Sequence, residues 1–331
     1  MTMAEVRRPV GDKLVTVFGG SGFIGRHVVR ALARDGWRIR VAVRRPDLAG
    51  HLQPLGGVGQ IVAVQANVRF PESVARAVQG ADAVVNLVGI LAESGKQSFE
   101  AVQARGPSVV AEAARAAGVG RFVQMSAIGA DRASRGLYGR SKAAGEEAVL
   151  AVYPDAVILR PSVVFGPEDA FFNRFAAMAR YAPALPLIGG GRTLFQPVFV
   201  GDVAEVVALA VSGGVKGGPQ AYELGGPEVL SFKAILRYVL KTTGRRRLLA
   251  PVPFGLARLK GRVLQLLPNP PLTADQVTML ETDNVVSQEA RAAGRTLEGL
   301  GLAPTPIEAI APTYLWRFRK AGQFERTRQE A

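Results

Sequence analysis

Six short apolar runs punctuate the first half of the chain: LVTVFGG (14–20), RIRVAV (38–43), QIVAVQA (60–66), AVVNLVGI (83–90), RFVQMS (121–126) and AVILRP (156–161). They are β-branched and continuous rather than alternating, the pattern of strands buried on both faces of a parallel sheet. Between them stand HVVRALARDG (27–36), ESVARAVQG (72–80) and SVVAEAARAAGV (108–119), apolar at helical spacing and several closed by glycine, as helix C-caps require. Strand and helix in strict alternation predict a doubly wound α/β fold with a parallel sheet. After Pro161 the rhythm changes. FFNRFAAMARYA (171–182) reads as a helix, LFQPVFV (194–200) as a strand and GDVAEVVALAV (201–211) as a helix. Ser231 before FKAILRYVL, Thr273 with Gln276, and Thr305-Pro306 with Glu308 read as helix starts. The expected organisation is one domain from 12–166 plus 194–226 and a smaller, mostly helical C-terminal lobe from 167–193 plus 227–320. Residues 1–11 and 321–331 read as flexible termini.

Composition narrows the chemistry. With 48% hydrophobic and 21% charged residues in 331, a sizeable core can form and global disorder is excluded. The absence of cysteine excludes a disulfide framework, a thiol nucleophile and an iron–sulfur cluster. Two histidines, His27 and His51, are too few for a His-rich zinc site. MTMAEVRRPVGDK has no apolar core of the kind a signal peptide needs, and no run reaches about 18 apolar residues; the expectation is a protein neither exported by that route nor integral to a membrane. The net charge of +14 and a pI near 10.7 point to an acidic partner.

Directly after the first apolar run comes Gly19-Gly20-Ser21-Gly22-Phe23-Ile24-Gly25, a G-x-x-G-x-x-G spacing that opens the next helix. Glycines suit a backbone that must turn tightly and approach a pyrophosphate, and the helix N-terminus offers free N–H groups and a positive dipole end. Placed there in a β/α chain, the motif predicts a Rossmann dinucleotide site. At the end of the second strand, where an NAD site carries Asp or Glu, stand Arg44-Arg45-Pro46. Guanidinium forks favour a 2′-phosphate, and Arg26 adds a third, so NADPH is expected over NAD(H). Asp47 remains close enough to compete for the ribose.

Tyr138 and Lys142 lie one helical turn apart and share a face. With Ser126 at the end of the fifth strand they form a Ser, Tyr and Lys set for acid–base chemistry: Lys142 would hold a ribose and lower the Tyr138 pKa, Tyr138 would pass a proton and Ser126 would orient a carbonyl.

GGSGFIGR, Arg44, NLVGI, the Ser126/Tyr138/Lys142 set and LRPSVVFGPED resemble the extended and atypical branch of the short-chain dehydrogenase/reductase superfamily. RPSVVFGPEDAFFNRFAAMAR, FQPVFVGDVA, YELGGPEVLSF and LTADQVTMLETDNVV are similar, more narrowly, to the NADPH-binding accessory subunits of respiratory complex I and their bacterial relatives. The resemblance implies that Gly19, Gly22 and Gly25, with Phe23 and Ile24 between them, meet the pyrophosphate, and that Arg26 and Arg44 meet the 2′-phosphate. It places Asn67 near the adenine, Tyr138 and Lys142 on the nicotinamide ribose, and Pro161 and Ser162 along the nicotinamide pocket. In that family the nucleotide is structural, so the Ser, Tyr and Lys set does not by itself establish catalysis. The short stretch between Ser126 and Tyr138 argues against a sugar-nucleotide substrate. Three functions remain: a complex I accessory subunit, peripheral on the cytoplasmic face of a bacterial inner membrane; an active NADPH-dependent reductase; or a sensor of the NADPH ratio that binds a protein partner.

The charge is concentrated. Between Ser231 and Pro271 nine basic residues stand with no acidic one. On a helical wheel, 254–267 puts Leu256, Leu259, Val263, Leu266 and Leu267 on one arc and Arg258, Arg262 and Gln265 opposite, with Lys260 at the border. That is the pattern of a helix lying in an anionic membrane interface, so residues 245–267 are the expected docking segment. The other reading packs the leucine arc on the protein's own core. No nucleic-acid-binding motif is present, and the aromatics Phe232, Tyr238 and Phe254 are too few for a stacking platform; nucleic acid is not expected as a partner.

Overall fold

A computed structural model describes residues 10–265, 267, 270 and 272–320. The expected flexible termini, apart from residues 10 and 11, and Leu266 of the docking segment lie outside the described residues. The chain divides into two compact units: Met1–Pro161, Val200–Leu224 and Val286–Ala303 form the first, and Ser162–Phe199, Gly225–Val285 and Pro304–Ala331 the second.

In the first unit, strands β1 (Leu14–Phe18), β2 (Arg38–Val43), β3 (Ile61–Gln65), β4 (Ala83–Asn86), β5 (Arg121–Met125), β6 (Val157–Pro161) and β11 (Tyr222–Leu224) form one parallel sheet in the order β11-β6-β5-β4-β1-β2-β3. This is the doubly wound order, reversing beside β1, so the loop that leaves β1 sits where such sheets bind ligands. Helices α1 (Phe23–Arg34), α2 (Pro71–Val78), α3 (Arg105–Ala116), α4 (Leu137–Val152), α6 (Val200–Ser212) and the short α10 (Gln288–Ala292) complete the unit. Phe18, Val84, Val110, Phe122, Val149, Tyr153 and Ile158 share one core cluster, in which Phe122 stacks on Tyr153 at 5.2 Å. In β1, β4, β5 and β6 nearly every residue is buried, and these runs are continuous because both faces of the sheet are covered there.

The second unit is built on aromatics. Strands β7 (Val164–Phe165) and β10 (Val198–Phe199) pair in parallel, β8 (Ala184–Ile188) pairs with β13 (Leu248–Val252), and β9 (Leu194–Phe195) runs antiparallel to β12 (Leu230–Ser231). Helices α5 (Phe172–Tyr181), α7 (Phe232–Thr242), α8 (Phe254–Leu264), α9 (Ala274–Met279) and α11 (Ile307–Leu315) make it mostly helical. Phe165, Phe171, Phe172, Phe175, Phe195 and Phe232 meet edge-on or tilted. Beside them the buried Asp169 carboxylate accepts the N–H groups of Phe172 and Asn173 and the Tyr314 hydroxyl at 2.7 Å. Burial raises its pKa despite these bonds.

Several local expectations change. The strand expected at 194–200 is two short pieces, β9 and β10, parted at Gln196-Pro197, because proline brings no N–H to a ladder. Residues 194–199 belong to the second unit through the pairing of β10 with β7, and 286–303 belong to the first, where Ser287 N donates to the Glu223 carboxylate and Glu223 N to Arg295 O. Ser231 caps α7, and Thr273 and Gln276 form a capping box on α9. Pro306, not Thr305, occupies the N-cap of α11, with no side-chain cap bond.

Helix α8 corrects the wheel. It buries neither the leucine arc nor the arginine arc but the narrow line of Ala257 and Gly261 between them. A Cβ at Gly261 would stand 2.8 Å from the backbone of Thr273 and Ala274, so these small residues let α8 close on the start of α9. Leu256, Leu259, Val263 and Leu267 are left 47%, 59%, 63% and 51% exposed, which excludes packing of that arc in the unit's own core. Arg258 is ion-paired with Glu281, while Lys260 and Arg262 are exposed on either side of the apolar stripe.

Candidate functional site

The loop between β1 and α1 is shaped by its glycines. Gly19 has φ 76° and donates its N–H to Ala42 O on β2 at 3.1 Å. Gly22 N donates back to Gly19 O at 3.1 Å, and Gly22 then serves as the N-cap of α1. A Cβ on Gly25 would lie 2.5 Å from Gly19 O, so the bare Cα lets the helix close on the loop. The first turn of α1, with Phe23 and Ile24, contains no acidic residue, leaving its free N–H groups and dipole end available to an anion.

Arg26 on α1 is half-buried, and Arg44 leaves the end of β2 exposed. Arg44 Nη1 donates to Gln97 Oε1 at 2.6 Å. Arg45 turns instead to Asp47, 2.8 Å away, which holds the Asp47 carboxyl below its ordinary range. The acid that would compete for a ribose is thus paired with a neighbour at the surface. Asn67, beyond β3, is held in a local turn, its N–H on Ser73 Oγ and its Oδ1 accepting Arg69 N at 3.1 Å.

Ser126 follows β5. Its N–H donates to Leu159 O at 2.7 Å, and its Oγ is buried with no hydrogen-bond partner among the described residues. Lys142 reaches the same strand end: it is buried, Nζ donates to Met125 O at 3.3 Å, and it stands 5.8 Å from the centre of the Tyr138 ring. Lys142 therefore joins the end of β5 to the first turn of α4. Burial pushes its pKa down to about 8, with Glu146 pulling weakly the other way. Burial pushes the Tyr138 phenol up to about 12, opposite to the lowering expected from Lys142, because desolvation disfavours the charged phenolate.

Gln103 was not singled out from the sequence. It lies in a π-helical turn, Glu100–Ala104, just before α3; its Oε1 accepts Ile90 N at 3.0 Å and its Nε2 donates to Ser141 Oγ at 3.0 Å. It thereby ties the exit of β4 to the helix that carries Tyr138 and Lys142. Its signal is the π-turn, a feature frequent at functional sites and invisible in spacing. Pro161 ends β6, its carbonyl accepting Ile128 N at 3.1 Å. Ser162 opens the second unit, where its hydroxyl donates to Asn284, with Oδ1 at 2.7 Å.

A family model for the NAD dependent epimerase/dehydratase family matches residues 15–225, spanning the glycine loop, Ser126, Tyr138 and Lys142. The chain belongs to that family. Among epimerase/dehydratase relatives, it is 35% identical over 317 residues to NADH dehydrogenase (ubiquinone) 1 alpha subcomplex subunit 9, mitochondrial, of Rattus norvegicus, covering 95% of this chain and 82% of that protein. The Arabidopsis thaliana protein of the same name is 33% identical over 327 residues, covering 96% and 80%. In structure, the NADPH-dependent quinone oxidoreductase QOR2 of Escherichia coli, complexed with NADPH, matches with a TM-score of 0.69 at 18% identity, covering 91% of this chain and 99% of that one; at that identity the likeness is one of fold. The family's nicotinamide dinucleotide fits the residues present: a glycine loop without Cβ atoms, an acid-free helix start, arginines at the end of β2, and a buried hydroxyl at Ser126 that lacks a partner among the described residues.

Proposed function

We propose that this protein is an NADP(H)-binding accessory subunit of an NADH:quinone oxidoreductase, complex I, with the nucleotide in a structural or regulatory role. The observation that carries this reading is the similarity to the rat subunit, which runs over 95% of the chain and so through both units rather than ending with the dinucleotide-binding part. Gly19 and Gly22 and the start of α1 would hold the pyrophosphate, with Gly25 allowing the close approach. Arg26 and Arg44 would bind the 2′-phosphate and favour NADPH over NAD(H), with Asn67 by the adenine. Tyr138 and Lys142 would hold the nicotinamide ribose, with Pro161 and Ser162 near the ring. A bound nicotinamide supplies a hydride donor or acceptor. Tyr138, whose phenol burial pushes up to about 12, keeps its proton at neutral pH and would donate it in a hydrogen bond to the ribose.

The same reading places the protein on the cytoplasmic face of a bacterial inner membrane. The stripe of Leu256, Leu259 and Val263 between Lys260 and Arg262 supports it, since an apolar line flanked by cations suits an anionic bilayer surface. Among the described residues no helix is long and apolar enough to cross a membrane. Purification from native membranes tests the assignment. Complex I subunits and bound NADP(H) are expected with the protein; a protein recovered alone and free of nucleotide would overturn it.

The buried Ser126 hydroxyl, without a hydrogen-bond partner among the described residues, favours a second reading, an NADPH-dependent reductase in which Ser126 orients a carbonyl. Steady NADPH oxidation with a carbonyl or quinone, lost about 10²–10⁴-fold in Tyr138→Phe, would establish it; a variant that retains nucleotide and assembly with no rate to lose supports the first.

A further inference from the structure

We infer that Gln97 is a positioning residue for the 2′-phosphate subsite: from a tight turn beyond β4 it holds the Arg44 guanidinium and thereby sets the preference for NADPH over NADH. This rests on the reading of Arg44 as a 2′-phosphate ligand and extends it to a loop outside the glycine motif.

The turn is built independently of Arg44. Ser94 N donates to Gln97 O at 3.1 Å and Gln97 N to Ser94 O at 3.0 Å, closing a two-residue loop with Gly95 at φ 55°, where a positive φ favours glycine. Glu93 Oε1 accepts the N–H of the buried Phe99 at 2.7 Å, fixing the base of the loop. Arg69, beyond β3, donates to Lys96 O at 3.0 Å. The segment thus leaves β4 and is tied to residues beyond β2 and β3. Because β1 lies between β4 and β2 in the sheet, the segment crosses the edge from which the glycine loop emerges.

From this anchored turn, Gln97 Oε1 takes one N–H of Arg44 at 2.6 Å. An exposed arginine otherwise samples many rotamers, and fixing it in advance lowers the cost of each bond it later makes. A guanidinium has five N–H groups, so the contact leaves most of the fork for a phosphate. The carboxamide matters as well. It accepts a hydrogen bond without neutralising the cation, whereas a carboxylate in the same place would pair with Arg44 and repel a phosphate.

Calorimetric titration of the full chain with NADPH and with NADH, for the parent, Gln97→Ala, Gln97→Glu and Arg44→Ala, tests the inference, alongside thermal unfolding without nucleotide. Gln97→Ala is expected to weaken NADPH about three- to tenfold while leaving NADH and unfolding unchanged, and Gln97→Glu to weaken NADPH further. An unchanged NADPH/NADH ratio in Gln97→Ala, with a lowered ratio in Arg44→Ala, would overturn the role of Gln97 alone. Equal losses for both nucleotides would also overturn it, marking Gln97 as a mere prop of the loop. If Arg44→Ala itself leaves the ratio unchanged, the reading of Arg44 falls and the inference with it.

Discussion

Lys142 and Tyr138 are displaced from their ordinary titration ranges in ways that can be read in folding stability. Lys142 titrates at about 8 in the folded chain against an ordinary 10.5, so between those values the unfolded chain holds more protons and stability rises with pH. Below pH 8 the buried ammonium is a burden. Tyr138 acts in the opposite sense: its folded pKa of about 12 against 10.0 makes its contribution fall once the pH passes 10. Lys142→Met should therefore be more stable than the parent at pH 7 by about 2–3 kcal/mol, the gap closing as the pH rises from 8 to 10.5. Urea unfolding across that range checks it; a variant less stable at pH 7 would show that the bond to Met125 O outweighs desolvation. The glycines, Arg44, Ser126, Tyr138 and Lys142 were readable because local spacing and strand ends announce them. Gln97 and Gln103 were not, since their partners lie 53 and 38 residues away in sequence and their orientation comes from a tight turn and a π-turn. The direction of the Tyr138 shift was equally hidden, because burial is a property of the assembled unit.

Elements were readable where one apolar period ran unbroken. β2 falls on RIRVAV, and the other strands of the first half fall within their runs, because a strand covered on both faces needs continuous apolar sequence. The break between β9 and β10 required knowing that Pro197 falls within the ladder, and the packed line of α8 required knowing that its neighbour approaches through Gly261. Small residues carry little hydrophobic signal, so a wheel weighted by hydrophobicity picks out the exposed leucine stripe but does not show which line of the helix packs. The same logic of close approach gives a test at α1. Gly25→Ala places a Cβ 2.5 Å from Gly19 O and 2.6 Å from Gly20 Cα, contacts with backbone that cannot swing aside. The variant is expected to lose about 1–3 kcal/mol of stability and, because the loop must shift, to lose nucleotide more severely than stability. Unchanged nucleotide affinity in a variant of normal stability would mean that the loop and α1 separate freely, and that the glycine there serves no close approach.

At the scale of the whole molecule the question is what a net charge of +14 is arranged to meet. The basic segment from Ser231 to Pro271 belongs to the second unit, while the glycine loop, Arg26 and Arg44 belong to the first. Nucleotide binding and surface docking are therefore expected to be separable. Within the basic segment Arg258 is already paired with Glu281, Arg245 Nε donates to Phe318 O and Arg247 Nε to Ala179 O. Of the six basic residues that remain, Lys233, Arg237, Lys241, Arg246, Lys260 and Arg262, the last two lie on α8 beside the exposed Leu259 and Val263 and are the cations suited to meet a lipid surface together with that stripe. Each basic residue near an anionic bilayer contributes on the order of 1 kcal/mol, so Lys260→Glu with Arg262→Glu should weaken partition to phosphatidylglycerol vesicles by more than tenfold. Leu259→Ser with Val263→Ser should weaken it too, but without changing its salt dependence, since screening acts on the charges alone. Both pairs sit on the open face of α8, away from Ala257 and Gly261, so unfolding temperature and NADPH affinity should stay at parental values. Sedimentation with anionic and neutral vesicles at low and high salt separates these outcomes. If the charge-reversed variant still sediments with anionic vesicles, the stripe on α8 meets no lipid. If it leaves the vesicles yet remains with the native complex, a protein surface is what covers the stripe.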